Sequence, residues 1–294
     1  MIFYDFSFAE LAVEYLETGD SVCLDKIAEL DATAHLLNHA TRFGYDVPKD
    51  STIQLTAYLL SPLNKQQEKL ANFKRNMKFA KQYIAEEDFA GKIALQYLPK
   101  DFVFSASIFF TFGYDIGVAY GKNCSLNLAH PKFLENIDEI KYYAIHELHH
   151  TGFIALKDGH MTSLNVSTHK EMAYIIEYLT HMEGMATYAA LDIRKKENAM
   201  NIDGDYIALQ DSKQMAVFEK EYFDIYCYFK KNPDKLIDES DWQKINILSD
   251  DKRLWYRVGA KMANIIDCKL GRDKLTGLIS ESSEKFILTY TKLL

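Results

Sequence analysis

The sequence is poor in the features that most readily assign a chain to a class. It has four cysteines, Cys23, Cys124, Cys227 and Cys268, and no two stand at C-x-x-C spacing. That excludes a cysteine-built metal site. Thiols so far apart, in mostly apolar surroundings, read as reduced and buried in a cytosolic protein. Proline is scarce, with 5 residues, and no proline- or serine-rich linker marks a domain boundary. No apolar run approaches the roughly 20 residues needed to span a bilayer, so no membrane partner is expected. The start, MIFYDFSFAELAVEYLETGD, is acidic where a secretory leader would be basic, and a cytoplasmic location is expected. Positive charge is in deficit, with 34 Lys and Arg against 42 Asp and Glu and a net charge of −8. The lysines are scattered among acids, which argues against nucleic acid as a partner.

What is present is helical periodicity and one short band of strand-like sequence. FAELAVEYLE, LDKIAELDATAHLLNHATRFG, TIQLTAYLL and NKQQEKLANFKRNMKFAKQYIAEED carry apolar residues at helical spacing, the second ending at Gly44. From Gly91 the pattern changes. KIALQYL, FVFSASIFFTFG, DIGVAYG and CSLNLA are short, rich in aromatic and β-branched residues, and separated by Gly, Asn and Asp. They predict a small, mostly antiparallel sheet. Pro131 then opens a helix expected to run to about Leu156, the polar stretch KDGHMTSLNVST is a loop, and a long helix covers about His169 to Asn198. The expected fold class is α+β and mostly helical, with a small mixed or antiparallel sheet. It divides into an N-terminal helical region (1–90), a core with the sheet and two helices (91–200) and a C-terminal helical region (201–294).

The stretch KYYAIHELHHTGF holds His146, Glu147 and His150 in the order H-E-x-x-H. On a helix, residues four apart lie on one face, about 5–6 Å apart at Cβ. Two imidazoles so placed converge on one cation. Glu147, offset by one residue, stands beside a water held by the metal. Chance yields this pattern in on the order of one chain in fifty, so the pair needs a third ligand. The extended pattern H-E-x-x-H-x-x-G-x-x-H is excluded, because Phe153 and Leu156 occupy its last two defined positions. The next helix offers Glu171, Glu177 and Glu183. Small residues favour close approach of two helices. Glu183 has Ala186, Thr187 and Ala190 at i+3, i+4 and i+7 and Gly184 beside it; Glu177, with Thr180, His181 and Gly184, is the second choice. Glu171 lies at the helix start, where a cap or surface charge is expected.

HELHH followed by EGMATYA resembles the gluzincin type of zinc metallopeptidase, which carries H-E-x-x-H on one helix and E-G-x-A-x-Y on the next. Glu183, Gly184, Ala186 and Tyr188 match the second element residue by residue. WYRVGAKMANIIDCKLGRDKLTGLI is similar to the helical tail of uncharacterised bacterial families of that kind, and the resemblance spans about residues 110 to 280. It implies a zincin-like core with one Zn²⁺ on His146, His150 and Glu183, and a sheet whose edge strand binds extended peptide. The edge would be 115–120 or 124–129. The expected activity is hydrolysis of peptides or unfolded protein segments, with Glu147 as general base. Tyr256 and His181 stand ahead of Tyr188 and Arg257 as donors to the oxyanion. A non-catalytic zinc-binding scaffold and a hydrolase of a non-peptide amide are the alternatives; oligomeric state stays open.

Other histidines read as structural. His35 and His39 share i, i+4 spacing but have no glutamate between them and no evident partner element. His149 points away from the His146–His150 face, His130 reads as a turn or cap residue, and His160 and His169 lie in or beside a loop.

Overall fold

The computed structural model describes residues 1–63, 67–157 and 165–294. The polar loop expected around His160 lies mostly outside the described residues. The chain forms two compact units, Met1–Ala94 with Val103–Ala155, and Leu95–Phe102 with Leu156–Leu294.

The first unit holds a four-stranded mixed sheet. Its strands are β1 (Ile2–Asp5), β2 (Ala106–Thr111), β3 (Gly117–Tyr120) and β4 (Asn123–Asn127), in the order β1-β2-β4-β3. β1–β2 and β2–β4 are parallel and only β3–β4 is antiparallel, so the mostly antiparallel expectation is corrected. The difference comes from strand order: β4, not β3, neighbours β2, and β1 adds a second parallel pair. The four residues of β1 run straight into a helical pattern, and a strand that short carries no period of its own. β3 and β4 join through a two-residue loop in which Gly121 takes φ 61°, as a tight hairpin needs.

The helices of this unit are α1 (Ser7–Thr18), α2 (Val22–Ala28), α3 (Asp31–Phe43), α4 (Thr52–Leu60), α5 (Gln67–Ala80), α6 (Phe89–Ala94), α7 (Pro131–Glu135) and α8 (Glu139–Leu156). Three sequence expectations change here. KIALQYL is α6 continued by a 3₁₀ turn, not a strand. Its neighbourhood buries Ala90, Gly91, Ala94, Tyr97 and Leu98, which is a helical spacing. The helix expected from residue 24 to Gly44 breaks at the extended Leu30 into α2 and α3. The helix from Pro131 breaks at Asn136, whose side-chain oxygen accepts from Asp138 N at 3.0 Å and offers the chain a turn instead. The core is aromatic. Phe6 stacks on Phe110 at 4.2 Å and Phe73 on Phe112 at 3.9 Å, and α1 buries Phe8, Ala9 and Ala12.

The second unit is helical: α9 (His169–Lys196), α10 (Gly204–Gln210), α11 (Ser212–Lys231), α12 (Glu239–Asn246), α13 (Leu254–Leu270), α14 (Arg272–Gly277) and α15 (Ser283–Thr291). α9 is buried on almost every side, as a central helix is. It crosses α13 at two glycines. A Cβ on Gly184 would sit 2.4 Å from the backbone of Gly259, and one on Gly259 would sit 2.5 Å from Thr180 O. The bulk removed at Gly184 thus serves contact with α13. Thr168 and Glu171 form a reciprocal capping box at the start of α9. None of the described helices is long and apolar enough to cross a membrane. Cys23 and Cys124 are buried, but Cys227 and Cys268 are exposed, against the expectation of four buried thiols.

Candidate metal centre

α8 is buried over most of its circumference, including Glu147, His149 and His150, so its histidines are not a solvated polar face. The rings of His146 and His150 meet edge to face, with centroids 4.4 Å apart. Four-residue spacing on one turn accounts for that meeting. His149 is fully buried.

Glu147 lies against the start of β3. A Cβ on Gly117 would come 2.7 Å from Glu147 Cγ and 2.8 Å from its Oε1, so glycine is the residue that lets the carboxylate reach the strand. The charge of Glu147 is felt by two neighbours. Burial first, then Glu147, pushes the Cys124 thiol up. Burial first, then the Asp115 hydrogen bond, with Glu147 a lesser contributor, pushes up the Tyr45 phenol. Of the two strands the sequence left open, β3 is the edge and β4 is interior. Asn127 N donates to Ile116 O at 3.0 Å, so by alternation Gly117 and Ala119 turn their backbone N–H and C=O away from β4.

On α9 the candidate carboxylates differ in their surroundings. Glu171 is committed to the capping box. Glu177 accepts from Tyr226 OH at 2.6 Å and from Lys230 Nζ at 3.0 Å, and Lys230 also holds Glu284 at 2.8 Å. Glu183 is the carboxylate grouped with the histidine pair: ligand atoms of His146, His150 and Glu183 all lie within 4.8 Å of one another. Among the described residues, no other group of three His, Cys, Asp or Glu side chains converges in this way.

The oxyanion candidates also separate. His181 is fully buried, with Nδ1 3.3 Å from Ser283 Oγ and its ring stacked on Phe286 at 4.3 Å. Tyr188 OH donates to Asp267 at 2.7 Å, and its ring packs edge-on against Tyr97. Arg257 Nε donates to Asp205 at 2.8 Å. Tyr256 is half-buried, and the Arg253 guanidinium carbon lies 3.7 Å from its ring centroid. Gly117, Asp205 and Arg253 were not singled out by sequence reasoning. A glycine opening a strand was the one available signal, since it marks close approach of another group.

The remaining described histidines have protein partners. His35 Nε2 lies 3.3 Å from Val118 O and His39 Nδ1 lies 2.9 Å from Tyr114 OH. Burial lowers both, His35 to about 4 and His39 to about 3, with the charges of His35 and Arg42 adding to the effect on His39. His130 Nδ1 caps α7 by accepting from Lys132 N, and His169 Nε2 pairs with the buried Asp241 at 3.0 Å.

The chain belongs to the family described as "Putative zinc dependent peptidase (DUF5700)", whose model matches residues 26–294. No curated protein and no solved structure matches it.

Proposed function

Taking that membership as the premise, we propose that the chain is a zinc-dependent peptidase of gluzincin arrangement, holding one Zn²⁺ through His146, His150 and Glu183. The observation that carries the reading is the convergence of these three side chains, with donor atoms within 4.8 Å of one another. Two imidazole nitrogens and a carboxylate oxygen are a donor set that catalytic zinc takes, with a fourth position left for water. Bound there, zinc supplies Lewis acidity that makes water a nucleophile near neutral pH and polarises the substrate carbonyl.

The protein's own groups do the rest. Glu147 takes a proton from the attacking water as the new C–O bond forms. It returns that proton to the amine nitrogen as the C–N bond breaks. Its carboxylate is held ready by burial and by the space that Gly117 leaves. Tyr256 is the preferred oxyanion donor. Tyr256 is half-buried, the Arg253 guanidinium carbon lies 3.7 Å from its ring centroid, and the charge of Glu183 acts on that same guanidinium. An extended peptide, or an unfolded segment of a protein, pairs with the backbone of Gly117 and Ala119 along β3. The absence of disulfides is compatible with a cytoplasmic location.

A peptide library incubated with the purified protein, with and without a zinc chelator, tests the proposal. Cleavage that stops with chelator and returns on adding zinc is expected. Cleavage indifferent to chelator, or none with zinc-loaded protein, refutes it.

A further inference from the structure

At the start of α13 the backbone is in a costly conformation. Arg253 has φ 48° and ψ 46°, the left-handed region that a non-glycine residue enters only when its surroundings impose it. The imposed conformation goes with an unusual ion pair. Arg253 reaches both oxygens of Asp205 through Nε alone, at 2.9 and 3.1 Å, and Arg257 reaches the same carboxylate through its own Nε at 2.8 Å. Asp205 is almost fully buried, and the Arg257 side chain is only 15% exposed. Two cations therefore share one anion.

A guanidinium has five N–H donors, and pairs that serve structure alone commonly use its two-pronged edge. Here the Nη groups of both arginines have no hydrogen-bond partner among the described residues. Arg253 keeps 36% of its side chain exposed, against 15% for Arg257, so Arg253 is the more accessible of the two. The guanidinium carbon of Arg253 lies 3.7 Å from the ring centroid of Tyr256. Burial works against its charge, but Tyr256, Asp205 and Glu183 outweigh burial and hold its pKa above the usual arginine value. Arg253 is thus electrostatically coupled to the carboxylate proposed as third ligand and packed on the side chain proposed as oxyanion donor.

We propose that the paired guanidinium groups of Arg253 and Arg257 form a recognition site for a carboxylate on the peptide substrate, and that Arg253 is its main contact. The proposal rests on the peptidase reading for the identity of the ligand. The chemistry that fits unbonded Nη–H donors beside a shared, already occupied aspartate is a planar two-oxygen anion. Two sources present it: the free C-terminus of a short peptide, which makes the protein a carboxypeptidase, or an Asp or Glu side chain, which makes it selective for acidic sequence.

The test uses full-length zinc-loaded protein and matched peptides. One pair differs by free acid against C-terminal amide, the other by internal Glu against Gln. The wild type is expected to favour one carboxylate form by about tenfold in kcat/KM, the size of one charge-assisted recognition contact. Which pair shows it identifies the source. In Arg253→Met the ratio falls to near one. Arg253→Gly deletes the same guanidinium while tolerating the left-handed backbone, and it gives the same result if the methionine variant folds poorly. No preference in the wild type, or a preference kept in Arg253→Gly, overturns the proposal. Calorimetric binding of the same peptides to Glu147→Gln protein separates this inference from the function it rests on. Carboxylate-selective binding without turnover in the wild type sinks the peptidase reading alone. Turnover without carboxylate preference sinks the arginine site alone. Neither binding preference nor turnover sinks both.

Discussion

α8 and α9 each carry part of the proposed centre, and they come to it by different physics. α8 places two histidines and a glutamate within five residues, and the pitch of a single helix sets their relation. α9 supplies one carboxylate from 28 residues, and its environment is set by side chains distant in sequence. Glu177 is taken by Tyr226 and Lys230 of α11, and the position of Glu183 depends on the crossing of α9 over α13 at Gly184 and Gly259. Local geometry makes a motif; long-range packing selects which of several equivalent residues completes it.

Replacements on the two helices should therefore fail in different ways. The largest effect is expected from Glu147→Gln, which retains the metal and slows cleavage by about 10²–10⁴-fold, measured as kcat alongside zinc content. Full activity in that variant removes the base. Gly184→Ala should act through the fold. Its new methyl group meets backbone at 2.4 Å, the helices must part, and stability should drop by about 3 kcal/mol in denaturant titration, with weaker zinc retention. A stable variant with normal metal content would show that the crossing does not control the α9 ligand.

Gly117→Ala sharpens the comparison from the other side. The added carbon displaces the Glu147 carboxylate and leaves the histidines alone. The expectation is about a hundredfold lower kcat at unchanged zinc content and little change in melting temperature. Zinc loss in this variant would mean that the strand supports the metal ligands and not the base. The smallest effect concerns the other histidine pair on α3. His35 and His39 are held neutral, with pKa values lowered to about 4 and 3 by burial. Below the ordinary histidine value of about 6.5, the unfolded chain binds protons that the folded chain refuses, so stability falls as pH falls. From pH 6.5 to 5.5 the loss is about 1 kcal/mol for each histidine and continues toward the folded-state values. His35→Gln should flatten the profile in that window, and an unchanged slope contradicts the assignment.

Legibility in the sequence follows the same division. Helices with clean periodicity, such as α4 and α9, are readable to within a few residues, and so is the spacing on α8. Their relation is local. β1 is not readable, since four residues beside a helical pattern have no distinctive period, and the parallel pairing of β2 with β4 depends on β3 lying beyond β4, which no local pattern records. The breaks at Leu30 and Asn136 are single-residue events inside apolar patterns that otherwise continue. Nothing near Arg253 in the chain foretells Asp205, 48 positions away, or the left-handed backbone. Gly117 carried a signal, a glycine at a strand start, but its meaning required Glu147 to be placed against it. The carboxylates on α9 show the limit most plainly: small neighbours of Glu183 were visible, but the groups that occupy Glu177 lie 49 and 53 residues away.

Zinc content by mass spectrometry of wild type, Glu183→Ala and Glu177→Ala, purified side by side under zinc-replete conditions, tests the central claim most directly. About one equivalent in the wild type and in Glu177→Ala, with most of it lost from Glu183→Ala, is the expected result. Less than about a tenth of an equivalent in the wild type, or zinc lost from Glu177→Ala and kept in Glu183→Ala, contradicts it.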